Sequence, residues 1–125
     1  TRVVVGVRKR DHITPVLQQL HWLPIAHRIK YKIALLTFKT LTSKRPEYLS
    51  ELISFDEPAR QLRSSAHRRL AVVKCRTTFA SRAFCHAVFN SLPAALTSNL
   101  PSLDSFKRAV KTLLFEQAFI PLMIA

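Results

Sequence analysis

Glycine is almost absent from this chain, since Gly6 is the only glycine among its 125 residues. This scarcity excludes a glycine-rich phosphate-binding loop, and helix ends and tight turns must use other residues. Cysteine is scarce too. Cys75 and Cys85 have no close pairing motif, which argues against a disulfide scaffold and favours a reducing compartment, nuclear or cytoplasmic. The apolar runs at both ends are shorter than the ~20 residues of a membrane span, so no membrane partner is expected.

The chain also lacks the groupings of side chains on which enzymes depend. Its aspartates are isolated from one another, whereas two-metal polymerases and nucleases need several convergent carboxylates. There is no G-x-S-x-G nucleophile motif. Cys75, Cys85 and His86 could supply three zinc ligands, but their spacing fits two structural cysteines better. We therefore predict no enzyme activity, no metal, no cofactor and no small-molecule substrate.

Positive charge is what the chain has in excess. Its 20 lysines and arginines outnumber 7 acidic residues, which gives a formal net charge of +13. An excess of this size is typical of proteins that bind nucleic acid. The alternatives are a cationic surface without a specific partner and a patch cut from a larger, balanced protein. Because the first residue is Thr1 rather than methionine, we expect a piece of a larger protein.

The pattern of prolines and apolar residues predicts a mainly α fold. We expect a small bundle of about five helices with one short β-hairpin over residues 60–75, where two β-leaning runs follow each other. Residues 1–12 are predicted as an extended basic arm and residues 13–125 as a single helical domain. The helices are predicted over 14–22, 24–42, 46–53, 79–92 and 103–119. Thr14 and Ser102 are expected to cap the first and the last helix.

The helix predicted over 24–42 is apolar on two nearly opposite sides, at 100° per residue. One arc holds Ile25, Ile29, Ile33 and Leu36, and the other holds Tyr31, Ala34, Leu35, Phe38 and Leu41. A narrow cationic stripe between them is formed by Arg28, Lys32 and Lys39. Such a helix needs two layers of neighbours, so it fits the centre of a bundle or packing against a missing domain.

Three clusters of cations are the candidate nucleic-acid-binding residues. They are Arg8, Lys9 and Arg10 in the arm, Arg28, Lys32 and Lys39 on the long helix, and Arg68 and Arg69. Each cluster could neutralise phosphates, and binding would then weaken steeply with salt. The arm cluster could instead be a nuclear-import patch or a solvated segment. Trp22 and Tyr31 could stack on bases, although packing in the core is the favoured interpretation. No motif for base-specific readout is present.

Two blocks of sequence have a specific order and spacing. The first joins Arg8-Lys9-Arg10-Asp11-His12-Ile13-Thr14-Pro15, Leu20-His21-Trp22-Leu23-Pro24 and Leu36-Thr37-Phe38-Lys39. The second joins Phe89-Asn90-Ser91-Leu92-Pro93, Leu103-Asp104-Ser105-Phe106-Lys107 and Lys111-Thr112-Leu113-Leu114-Phe115. Together they resemble the region that follows the reverse-transcriptase domain in non-LTR, LINE-type retrotransposon polyproteins.

This resemblance implies an origin in an RNA-directed DNA polymerase, where the region is expected to help hold template RNA, element RNA or target DNA. The family's catalytic aspartates and endonuclease domain have no counterpart here. The family also has a longer stretch with a tryptophan where Ala87-Val88-Phe89-Asn90 stands. We therefore expect a non-catalytic fragment whose partners are the backbone of RNA or DNA and the missing reverse-transcriptase domain.

An orphan protein-interaction module is the alternative function. In this hypothesis a second apolar face of the 24–42 helix docks on a partner domain, and the positive charge is incidental. Association through Tyr31, Leu35 and Phe38 would support this alternative, whereas burial of that face within the monomer would count against it.

Overall fold

A computed structural model describes residues 2–6, 8–57, 60, 69–72, 84–97 and 102–119, and this part of the chain is mainly helical, as predicted. The helices are α1 (Arg2–Val5), α2 (Thr14–Gln19), α3 (Ile25–Ser43), α4 (Glu47–Leu52), α5 (Phe84–Asn90), α6 (Ala94–Thr97) and α7 (Leu103–Phe119). Within these ranges, no helix combines the length and the apolar composition required to cross a bilayer.

The ends of α3 follow from its flanking residues. Pro24 precedes the helix with extended backbone (φ −57°, ψ 157°), as the restricted geometry of a proline N-cap allows. At the other end Lys44 takes the left-handed conformation (φ 50°), and its N–H donates to the carbonyl of Thr40. Glycine usually occupies this position, and in this chain with a single glycine a lysine takes the left-handed conformation instead.

The core forms where α3 packs against α7 and α5. The rings of Phe38 on α3 and Phe106 on α7 stack with their centroids 4.1 Å apart. The buried hydrophobic residues of the cluster are Leu23, Ala34, Phe38, Leu70, Phe89, Leu92, Phe106, Val110 and Leu114. Each large side chain buried in this way contributes about 1.5–3 kcal/mol of transfer free energy. The contacts make α3 the central helix of the described residues.

In the described part of the chain, one of the two apolar sides of α3 is covered, whereas most of the other side is exposed and its Ile33 is half-buried. Ala34 and Phe38 are fully buried, and Tyr31, Leu35 and Leu41 pack partly buried against the same cluster. On the other side, Ile25, Ile29 and Leu36 are 76%, 55% and 59% exposed. We call these three residues the outer stripe. The two layers of neighbours predicted for this helix are thus reduced to one in the described part of the chain.

The predicted β-hairpin is not observed, and its residues 61–68 and 73–75 lie outside the described residues. The described part of its second run pairs elsewhere: Leu70 forms an isolated antiparallel bridge with Phe55. The N–H of Asp56 donates to the carbonyl of Arg69 at 2.8 Å, and the N–H of Ala71 donates to the carbonyl of Ser54 at 2.9 Å. A β-leaning run does not specify its partner, and in the described residues Leu70 pairs with a residue 15 positions earlier in the chain.

The side chain of Asn90 occupies the other edge of this short pairing. Its Oδ1 accepts from the N–H of Leu70 at 2.8 Å, and its Nδ2 donates to the carbonyl of Leu70 at 3.1 Å. An amide side chain presents one donor and one acceptor, so it can satisfy both backbone groups of a single strand residue. Asn90 therefore takes the place of a neighbouring strand and ties the end of α5 to residues 69–71.

Three local expectations differ from the structure. Within the segment predicted as an extended arm, Arg2–Val5 form one helical turn that ends at Gly6, where φ is +66°. Thr14 is the first residue of α2 rather than its cap, and Ile13 in the N-cap position makes no side-chain cap bond. This helix also ends at Gln19, three residues before its predicted end at Trp22. By contrast, Ser102 caps α7 as predicted, its Oγ accepting from the N–H of Ser105 at 3.4 Å.

Candidate nucleic-acid interface

The turn between α2 and α3 is held in place by His21. Its backbone is left-handed (φ 52°), and its Nδ1 lies 3.2 Å from the carbonyl oxygen of Gln18. The ring of His21 also packs on that of Phe115 in α7, with centroids 5.3 Å apart. These contacts fix the position of the next residue, Trp22, relative to α3 and α7.

Trp22 and Arg28 form a pair at the start of α3. The guanidinium carbon of Arg28 lies 5.3 Å from the centroid of the Trp22 ring, within the range of a cation–π contact. The Nε of Arg28 donates to the carbonyl of Leu23 at 2.7 Å, which holds the side chain in this place. Trp22 remains 42% exposed, so the favoured interpretation of this residue as a core residue was wrong.

A groove of about 500 Å³ opens beside this pair. We call it the aromatic groove, and its lining residues are His21, Trp22, Leu23, Arg28, Tyr31, Lys32, Leu35 and Lys111. Its apolar surface comes from the rings and leucines, and three of its side chains are cationic. No aspartate or glutamate of the described residues lines the groove.

Lys111 is the residue of this groove that the sequence did not indicate. It lies on α7, and the packing of α7 on α3 brings it to a groove that otherwise comes from residues 21–35. The 3.6-residue period places Lys111 on the polar side of its own helix. Nothing in the local sequence relates that side to Trp22, because the relation arises only from tertiary packing.

The other predicted cations lie at separate places. Lys39 is exposed on α3, seven residues or about 10 Å along the helix from Lys32. The exposed arm residues Arg8, Lys9 and Arg10 belong to a turn in which the Arg8 N–H donates to Oδ2 of Asp11 at 3.2 Å. Arg69 lines a pocket of about 450 Å³ with Asp56 and Asn90.

Arg68 lies outside the described residues. Among the predicted cations in the described part of the chain, Arg28 and Lys32 are the two that line the aromatic groove.

His27 does not add to the cationic surface. Its side chain is half-buried, and its Nδ1 is screened from water with no hydrogen-bond partner among the described residues. Burial, together with the nearby charge of Lys30, lowers the pKa of His27 below its usual value of 6.5. Both effects favour the neutral form of the imidazole over the charged form.

Metal ligands do not cluster in the described part of the chain, where no group of three or more histidine, cysteine or acidic residues could hold an ion. Cys75 and the side chains of Cys85 and His86 lie outside that part. Comparison with family models, with curated proteins and with solved structures gave no match to this chain.

Proposed function

We propose that this chain binds nucleic acid without catalysis, as the C-terminal fragment of a non-LTR retrotransposon RNA-directed DNA polymerase. The observation that carries the binding proposal is the aromatic groove, where Arg28, Lys32 and Lys111 stand beside exposed ring surface and no described acid lines the space. The resemblance of the two sequence blocks supports the origin.

The expected binding is indifferent to sequence. Lysine and arginine side chains neutralise phosphates, and such contacts position a backbone without reading bases. The cations outside the groove, Arg8–Arg10, Lys39 and Arg68–Arg69, would extend the contact along the same strand or along a second one. A net charge of +13 would also speed the encounter with any polyanion.

Fluorescence anisotropy with random-sequence RNA and DNA oligonucleotides tests this proposal. The unchanged chain should bind both at low salt, and the logarithm of its affinity should fall linearly with the logarithm of salt concentration. Replacing Lys32 and Lys111 together by glutamine should reduce the slope on single strands by about 1.4, since each lost phosphate contact removes about 0.7. Absence of binding at low salt would refute the proposal.

A matched control is available on α7. Arg108→Gln removes one positive charge from an exposed residue of the same helix that does not line the groove. It should change the slope less than Lys111→Gln does. Equal effects of the two single variants would show that only net charge matters and that the groove has no special part.

No polymerase activity is expected of this chain, because the aspartates that bind the catalytic metals in the family have no counterpart in it. A primer-extension assay with magnesium or manganese present checks this expectation. Incorporation of nucleotides by the purified chain would contradict it.

The outer stripe favours an interaction module as the second candidate. Ile25, Ile29 and Leu36 expose apolar surface that could dock on a partner domain, the missing reverse-transcriptase domain in particular. The face expected to associate, Tyr31, Leu35 and Phe38, does not fit this role, because Phe38 is fully buried and the other two pack partly buried against the core. The candidate therefore depends on the outer stripe instead. Calorimetry with such a domain as a separate polypeptide should give binding that Ile29→Ser weakens and that Lys32→Gln with Lys111→Gln leaves intact.

A further inference from the structure

We infer that the aromatic groove receives an unpaired base, so that the preferred ligand is single-stranded rather than double-stranded nucleic acid. This inference rests on the proposed function and adds the class of strand to it. It depends on the shape of the groove and on Trp22, not on the net charge.

The size of the groove fits a base. The groove is open to solvent, and its volume of about 500 Å³ lies within the range of small-ligand sites, about 300–1,000 Å³, so it has room for one base without enclosing it. A duplex covers the faces of its bases by stacking, and a base must be unstacked and flipped before it can enter such a space. A single strand presents these faces without that cost.

The chemistry of the groove fits the same ligand. Unpaired bases stack on aromatic rings and on arginine guanidinium planes. Both groups are present here as one stack, since the Arg28 guanidinium carbon lies over the Trp22 ring at 5.3 Å from its centroid and the Nε of Arg28 donates to the Leu23 carbonyl at 2.7 Å. A base would extend this stack from a face that the two side chains leave open. Arg28 therefore keeps its place without the ligand, and Trp22 is 42% exposed.

Two lysines of the groove are placed to neutralise phosphates of the same strand. Lys32 lies on α3 and Lys111 on α7, and both side chains line the groove. A strand with one base inserted would pass a phosphate near each of them. The absence of acids among the described lining residues leaves no group there that would repel these phosphates.

Trp22 gives a direct readout, because it is the only tryptophan in the chain. The probes are a thymine oligonucleotide of about 12 residues, an abasic oligonucleotide of the same length and charge, and a blunt duplex. The thymine strand should quench the tryptophan fluorescence and bind more tightly than the abasic strand and the duplex. Base stacking on one aromatic residue corresponds to a difference of about 5- to 150-fold in affinity.

Variants separate the ring from the charge. Trp22→Leu should bind the thymine strand about as weakly as the unchanged chain binds the abasic strand, and Trp22→Phe should restore most of the affinity. The control Tyr48→Leu removes an exposed aromatic ring on α4, away from the groove, and should leave binding unchanged.

Two results would overturn parts of the reasoning separately. Equal affinity for the thymine and abasic strands, without quenching, would overturn the base-binding inference while leaving the proposed function standing. Failure to bind any of the three probes at low salt would overturn the proposed function itself. Preference for the duplex would contradict the inference even if quenching occurred. The comparison of probes needs no variant, so it holds even if Trp22→Leu does not fold.

Discussion

Asn90 offers the sharpest test of how the described part of the chain is held together. Its amide bonds both backbone groups of Leu70, and Leu70 is 1% exposed. Replacing Asn90 by alanine leaves a buried N–H and a buried carbonyl without partners. Each orphaned group costs about 1–3 kcal/mol where water is excluded. Because the pocket lined by Leu70 and Asn90 admits water to the vacated groups, we expect a loss of about 1–3 kcal/mol in total in the free energy of unfolding. That is a large part of the roughly 5–15 kcal/mol that stabilises a typical domain.

Asn90→Asp divides this effect between the two bonds. The carboxylate can still accept from the N–H of Leu70, but it cannot donate to the carbonyl of Leu70, which it would instead repel. Protonation restores a donor, so the folded state would raise the pKa of the new carboxyl. By linkage, the stability deficit of the variant relative to the unchanged chain should shrink as the pH falls through the folded-state pKa of this carboxyl.

Urea denaturation followed by circular dichroism measures both variants, and hydrogen exchange at the Leu70 amide locates the effect. Gln117→Ala is the control, because it removes an amide from an exposed position on α7 and should change stability by less than about 0.5 kcal/mol. A cost for Asn90→Ala as small as that of the control would refute the reasoning. So would an unchanged exchange rate at Leu70.

Two further predictions concern α3. Lys44→Gly should raise the urea midpoint by the equivalent of about 0.5–1 kcal/mol, because glycine relieves the left-handed strain at φ 50° but gains freedom in the unfolded chain. Lys44→Ala keeps the strain and should give no gain, and a gain as large as that of glycine would contradict the explanation. The pKa of His27 is lowered in the folded state, so protonation of this residue favours the unfolded chain. The free energy of unfolding should therefore show no cost from His27 above pH 6.5 and should decrease as the pH falls from 6.5 toward the folded-state pKa. His27→Gln should flatten this dependence in denaturation curves measured between pH 7 and pH 5.

The sequence was most informative where local signals decide the structure. The 3.6-residue period and the hydroxyl of Ser102 predicted α7 with its observed bounds, and Pro24 predicted the start of α3. The period could not tell which side of α3 is covered, because both sides are equally apolar and the answer depends on where α7 and α5 pack. The partner of Leu70 could not be predicted for the same reason. The backbone groups of Leu70 bond to the side-chain amide of Asn90, 20 residues later in the chain, instead of to a neighbouring strand.

In the candidate site, too, local sequence patterns predicted some residues, whereas others depend on tertiary packing. Arg28 and Lys32 could be chosen from the sequence because they share a stripe on one helix. Trp22 was misassigned because tryptophan is usually buried, and its exposure here follows from the turn held by His21 and Phe115. Lys111 enters the groove through helix packing alone.

The outer stripe has a consequence for the behaviour of the chain in solution. A net charge of +13 keeps copies of the chain apart at low ionic strength, even though Ile25, Ile29 and Leu36 are open to contact. Salt shortens the reach of that repulsion from about 10 Å at 0.1 M to about 3 Å at 1 M. A salt concentration that dissociates nucleic acid from the cations therefore also allows the outer stripes of two copies of the chain to come into contact. Purification at high salt, chosen to remove bound nucleic acid, is therefore the condition under which this chain should aggregate first.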